Sequence, residues 1–95
     1  AIIKKWKGDF MIDYRYQTFL VLADSLDYAK VEEELCLSKP AITQHIHYLE
    51  TDLEVTLFQN QGGNLVLTKK GQLLKSRLVI INDHIDDLLR QLATK

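Results

Sequence analysis

Six aliphatic residues near the C-terminus, Leu74, Leu78, Ile81, Ile85, Leu88 and Leu92, follow one another at spacings of 4, 3, 4, 3 and 4. That is a heptad seam, with d positions at 74, 81 and 88 and a positions at 78, 85 and 92. It predicts one helix running from a Thr68 cap to about Ala93. Such a helix has roughly 25 residues and extends about 37 Å at 1.5 Å per residue. In a chain of 95 residues, the small domain before it is too short to cover it all. A single stripe can simply dock on its own domain, but the length of the helix favours a homodimer paired through residues 69–95. Arg77, Asn82, His84 and Gln91 flank the seam and carry little complementary charge. Parallel and antiparallel pairing both stay open on periodicity.

Several function classes fall away on composition. No apolar run approaches the roughly 20 residues of a membrane span, and the start lacks a signal-peptide pattern. The single cysteine, Cys36, forms no internal disulfide, which fits a cytoplasmic protein. His45 and His47 are two apart on a helix and point to different sides, and no cysteine pair accompanies them. No metal, cofactor or enzyme reading follows. Net charge is −1: residues 1–10 sum to +2 and residues 11–95 to −3. Nucleic-acid affinity comes largely from Lys and Arg on phosphates, so such a role rests on few, well-placed cations.

Residues 1–10, AIIKKWKGDF, show no period and read as a leader, with Met11 a natural start. Asp13 caps a first helix to about Ser25, whose apolar face is Tyr16, Phe19, Leu20, Leu22 and Ala23. Asp27 caps a short second helix, residues 28–35, with Tyr28, Val31 and Leu35 inward and Glu32, Glu33 and Glu34 in solvent. Cys36-Leu37 makes the turn. Ser38 caps a third helix with Pro40 in its first turn, where the missing N–H costs nothing. Ile42, Ile46, Leu49 and Leu53 are expected to bury together. Val55–Phe58 and Leu65–Thr68 then read as two strands around the loop 59–64 with its Gly62-Gly63 turn. The result is a mainly α chain. A winged helix-turn-helix, three helices plus a β-hairpin, occupies residues 11–68, and the long helix occupies residues 69–95.

With Ile42, Ile46 and Leu49 inward, Lys39, Thr43, Gln44 and His47 face outward. This face is either a plain polar surface or one suited to base edges. Gln pairs with adenine N6/N7, Lys donates to guanine O6/N7, and a Thr methyl meets a thymine methyl. The helix start at Ser38 and Pro40 presents backbone N–H groups to a phosphate. Lys30, Asn60 and Asn64 are phosphate-contact candidates. Lys69, Lys70 and Lys75 lie near the wing.

From Phe19 to Gly71 the chain resembles the DNA-binding domain of LysR-type bacterial transcriptional regulators. The residues that carry the likeness run in order: Phe19, Asp27-Tyr28, Leu35-Cys36-Leu37-Ser38-Lys39-Pro40-Ala41-Ile42-Thr43, Ile46, Leu49-Glu50, Leu53, Leu57-Phe58 and Leu67-Thr68-Lys69-Lys70-Gly71. The resemblance implies double-stranded DNA as partner, with the third helix in the major groove and a dimer on an inverted repeat. It implies contact roles for Lys39, Thr43, Gln44 and His47. It also implies an effector domain for a small metabolite beyond these residues, and higher oligomers in a full-length protein. The chain departs from the pattern at Val31-Glu32, Lys39, Gln44, Glu54 and Asn60, and the wing Gln61-Gly62-Gly63-Asn64 has no cation. Weak binding by the isolated chain is expected. Two other readings stand beside this one: a winged dimerisation module without useful DNA binding, and a molybdate-type regulator with a similar N-terminal domain.

Overall fold

A computed structural model describes residues 13–94; the expected leader lies outside them. Each of the four helices among the described residues starts on the side chain that the sequence marks. In α1 (Tyr14–Ser25) the Asp13 carboxylate accepts from the Arg15 N–H at 2.9 Å. In α2 (Tyr28–Leu35) Asp27 accepts from the Ala29 N–H at 2.9 Å. In α3 (Lys39–Leu53) Ser38 accepts from Ala41, and in α4 (Lys69–Ala93) Thr68 accepts from Gly71. Each cap satisfies a first-turn N–H that the helix cannot, a contribution of about 1 kcal/mol. The first three helices end in left-handed residues, Leu26, Cys36 and Glu54, with φ of 54°, 55° and 57°. Glycine holds that conformation more easily than any of the three.

The core lies where these helices meet. Phe19, Leu22 and Ala23 of α1, Val31 of α2, Ile42, Ile46 and Leu49 of α3, Leu57 just before the hairpin and Leu78 of the long helix form one buried cluster. Thr18 is buried with them, on the face of α1 read as apolar. Leu53 does not join them and stays 38% exposed. It is the last residue of α3, one turn past Leu49.

The hairpin differs from expectation in its limits. The strands are β1 (Phe58–Gln61) and β2 (Asn64–Leu67), antiparallel, with Phe58 opposite Leu67 and Gln61 opposite Asn64. Val55–Leu57 lead into β1 instead of forming it, and Gln59–Gln61 pair instead of looping. The cause is the turn. Gly62 and Gly63 both take positive φ, 57° and 85°. A two-residue turn of that kind matches the strand twist and lets pairing run up to the glycines. Backbone pairing does not require apolar side chains, so polar residues continue the ladder.

The long helix has 25 residues, and its expected seam is divided. Leu78 belongs to the core of its own protomer, Leu74 packs against that core, and Ile85 is buried. Leu89, outside the expected seam, is buried too. Ile81, Leu88 and Leu92 remain 47%, 38% and 67% exposed. Leu73 and Ile80, on the adjoining side, are also open at 49% and 52%. The apolar stripe of α4 is therefore broader than a heptad seam, and one edge is consumed within the chain. No helix among the described residues is long and apolar enough to cross a membrane.

Candidate nucleic-acid interface

Burial of Ile42, Ile46 and Leu49 turns the opposite side of α3 to solvent, and Ser38, Lys39, Pro40, Thr43, Gln44 and His47 are all exposed there. Two of these side chains are already oriented. The Lys39 ammonium lies 4.9 Å from the centroid of the Tyr28 ring, a cation–π contact that holds it at the helix start. The Thr43 hydroxyl donates to the Lys39 carbonyl at 3.0 Å. The side chains of Gln44 and His47 make no hydrogen bond among the described residues and are exposed.

The wing forms one wall beside this face. Tyr28, Thr43, His47, Phe58 and Asn60 line a groove of about 270 Å³ between α3 and the hairpin. Asn60, in β1, thus shares a groove with the α3 residues, and Asn64 stands exposed at the start of β2. His47 also borders a second hollow of about 360 Å³ with Glu50, Thr51 and Glu54. That puts carboxylates next to the wing, which opposes phosphate approach. Lys30 is not brought to this surface. It lines a separate groove of about 440 Å³ between α1 and α2, with Asp24 and Glu34. Lys75 is engaged within the protomer, donating to the Ala23 carbonyl at 3.5 Å. Lys69 and Lys70 are exposed at the start of α4.

Sequence reasoning missed a cluster on the flank of α3. The Arg15 guanidinium lies 3.9 Å from the Tyr48 ring centroid and 4.7 Å from that of Tyr14. Its Nη1 is 2.7 Å from the Asp13 carboxylate. The Tyr14 and His45 rings meet edge to face at 5.2 Å, and His45 Nδ1 shares a 2.9 Å hydrogen bond with Thr18 Oγ1. Burial, then the Arg15 charge, lowers the His45 pKa, and Asp13 offsets part of this. Burial, then Asp52, raises that of Tyr16. The cluster ties α1 to α3 through polar and aromatic contacts. One signal was visible: Thr18 interrupts the apolar face of α1. Among the described residues no group of side chains could hold a metal ion, and Cys36 is free and exposed.

These features define a winged helix-turn-helix domain continued by a long helix. Residues 14–72 match the bacterial regulatory helix-turn-helix proteins of the lysR family. The chain belongs to that family and carries its DNA-binding domain. It is 40% identical over 57 residues to YxjO, an uncharacterised helix-turn-helix-type transcriptional regulator of Bacillus subtilis, covering 60% of this chain and 20% of that protein. It is 34% identical over 62 residues to the transcriptional regulator CitR of the same organism, covering 64% and 21%. The chain thus spans about a fifth of the length of these curated relatives. A LysR-family regulator from Eggerthella lenta superposes with a TM-score of 0.68 at 40% identity, over 73% of this chain and 99% of that one. The BenM DNA-binding domain in complex with benA site 1 DNA gives 0.79 at 16% identity, over 84% and 90%. At that identity the likeness is one of fold.

Proposed function

We propose that the chain reads an inverted-repeat DNA site as a homodimer, with α3 of each protomer in a major groove. The observation that carries this is the exposed Lys39–Thr43–Gln44–His47 face, set opposite the buried stripe of α3 and flanked by the wing. Lys39, Thr43, Gln44 and His47 meet base edges. The helix start at Ser38 and Pro40 offers backbone N–H groups to a phosphate. Asn60 and Asn64 position the wing on the backbone. Lys30, beside two carboxylates, reaches only a phosphate at the edge of the duplex. Pairing uses the open edge of the α4 stripe: Ile81, Leu88 and Leu92 of the expected seam, with Leu73 and Ile80 added. Leu74, Leu78 and Ile85 support that edge from below. The chain acts as a regulator and not as an enzyme, in the cytoplasm, and a further domain of the whole protein takes the small-molecule effector.

Fluorescence anisotropy tests this, with AT-rich inverted-repeat duplexes against a scrambled duplex at low and physiological salt. The expected result is binding that favours some repeats and weakens with salt, with a log–log slope of about −0.9 for each phosphate neutralised. The charge of −3 over residues 11–95 favours a second reading, a dimerising interaction module. On that reading no duplex binds at concentrations where the long helices pair.

A further inference from the structure

The backbone of one residue, Leu57, is held by two helices at once. Its N–H donates to Glu50 Oε2, on α3, at 2.7 Å, and the next N–H, of Phe58, reaches the same oxygen at 3.3 Å. Its carbonyl accepts from the Thr68 N–H, at the start of α4, at 3.0 Å. The Thr68 hydroxyl donates to the neighbouring Thr56 carbonyl. Gly71, one turn into α4, lies so close that a Cβ there would sit 2.2 Å from the Leu57 oxygen. The Leu57 side chain is fully buried.

Glu50 fits the family pattern but is electrostatically unfavourable for its place. It lies in the last turn of α3, where the helix dipole disfavours a carboxylate. Termination of the helix does not need it, because the Glu54 N–H already closes on the Glu50 carbonyl. The side chain instead reaches beyond the helix, and one charged oxygen takes two backbone N–H groups, a strong form of hydrogen bond. Glu50, Leu57, Thr68 and Gly71 thus connect α3 to α4 through the wing base by short, directional contacts. A flexible linker is absent from this route.

We propose that Glu50 is a positioning residue for DNA reading: it sets the angle of α3 relative to α4, and so the half-site spacing that a dimer accepts. This rests on the DNA-reading dimer proposed above. Without the carboxylate, the packing of Ile42, Ile46 and Leu49 still holds α3 in the domain. The wing base and the start of α4 then swing against it.

The test compares wild type, Glu50→Ala and Glu50→Gln on inverted repeats whose half-sites are moved apart one base pair at a time. Wild type is expected to prefer one spacing by about ten-fold or more. Glu50→Ala flattens the preference while affinity for a single half-site stays near wild type. Glu50→Gln, which keeps an acceptor oxygen, restores the preference. Equal loss at every spacing with the preference intact indicates lowered stability alone and overturns the proposal. A second measurement needs no DNA. Spin labels at Thr51→Cys and Ser76→Cys, in a Cys36→Ser chain diluted with unlabelled protein, report the α3–α4 distance within one protomer. A narrow distribution that broadens in Glu50→Ala and not in Glu50→Gln supports the joint, and an unchanged width overturns it. If wild type binds no duplex, the DNA reading fails, and the distance measurement still decides the joint.

Discussion

The third and fourth helices begin alike, on a hydroxyl cap, and both are amphipathic, yet they leave opposite surfaces to solvent. In α3 the buried side takes Ile42, Ile46 and Leu49, and the outward side is polar: Lys39, Thr43, Gln44 and His47. In α4 the inward edge is Leu78, Ile85 and Leu89, and a second apolar edge stays open at Leu73, Ile80, Ile81 and Leu88. A helix whose apolar stripe is fully covered can present hydrogen-bonding groups to a polar ligand. A helix whose stripe exceeds what one protomer covers calls for another apolar surface. The two helices therefore offer different kinds of surface to solvent, one polar and one apolar.

The sharpest way to break this comparison uses two residues of the same expected seam. Leu78→Ala should cost about 2 to 5 kcal/mol of stability in urea denaturation, because Leu78 is core. Ile81→Asp should leave that stability nearly unchanged in the monomer and abolish pairing in sedimentation equilibrium. Equal effects of both on unfolding would mean that the two edges of α4 are not distinct.

The next effect belongs to α3. Replacing both Lys39 and Gln44 by Ala should remove preference among duplexes, about 1 to 3 kcal/mol for each good base pairing lost. Circular dichroism should show unchanged helix content. Preference that survives would place the reading surface elsewhere.

A smaller effect is expected at the end of α3. Glu54 holds a positive φ of 57°, so Glu54→Gly should raise stability by about 1 kcal/mol, visible as a higher Tm. It also removes a carboxylate beside His47 and should strengthen binding to any duplex. A fall in Tm would show that the left-handed residue carries no strain.

The last concerns the tie between α1 and α3. The His45 pKa is lowered from its ordinary 6.5, so the unfolded chain binds protons before the folded one does. Stability should be level above about pH 7, fall as pH drops through the ordinary histidine range, and level off once the folded imidazole is protonated. His45→Gln should flatten this part of the pH profile in thermal melts. A profile unchanged by that substitution would assign the effect to another group.

Much of this architecture was legible before any coordinates. The caps at Asp13, Asp27, Ser38 and Thr68, the four helices, the buried stripe of α3 and its outward residues all follow from contacts within a few residues. A capping side chain meets its own helix, and a period near 3.6 marks a face whatever lies opposite. The resemblance in motif order led to the same winged fold. The candidate interface was partly legible: Thr43, His47 and Asn60 do share a groove, whereas Lys30 and Lys75 are held elsewhere.

Tertiary structure decided what depends on neighbours distant in sequence. Leu53 continues the α3 stripe by spacing but stays partly open to solvent at the end of the helix. Arg15 finds Tyr48, and Thr18 finds His45, across 33 and 27 positions. Glu50 finds Leu57 only because the wing base folds back on α3. Above all, the sequence of α4 determined that it carries an apolar stripe, and packing determined which edge faces inward. Periodicity specifies the side of a helix that avoids water. How much of that side its own protomer can cover depends on the size and placement of the domain against it.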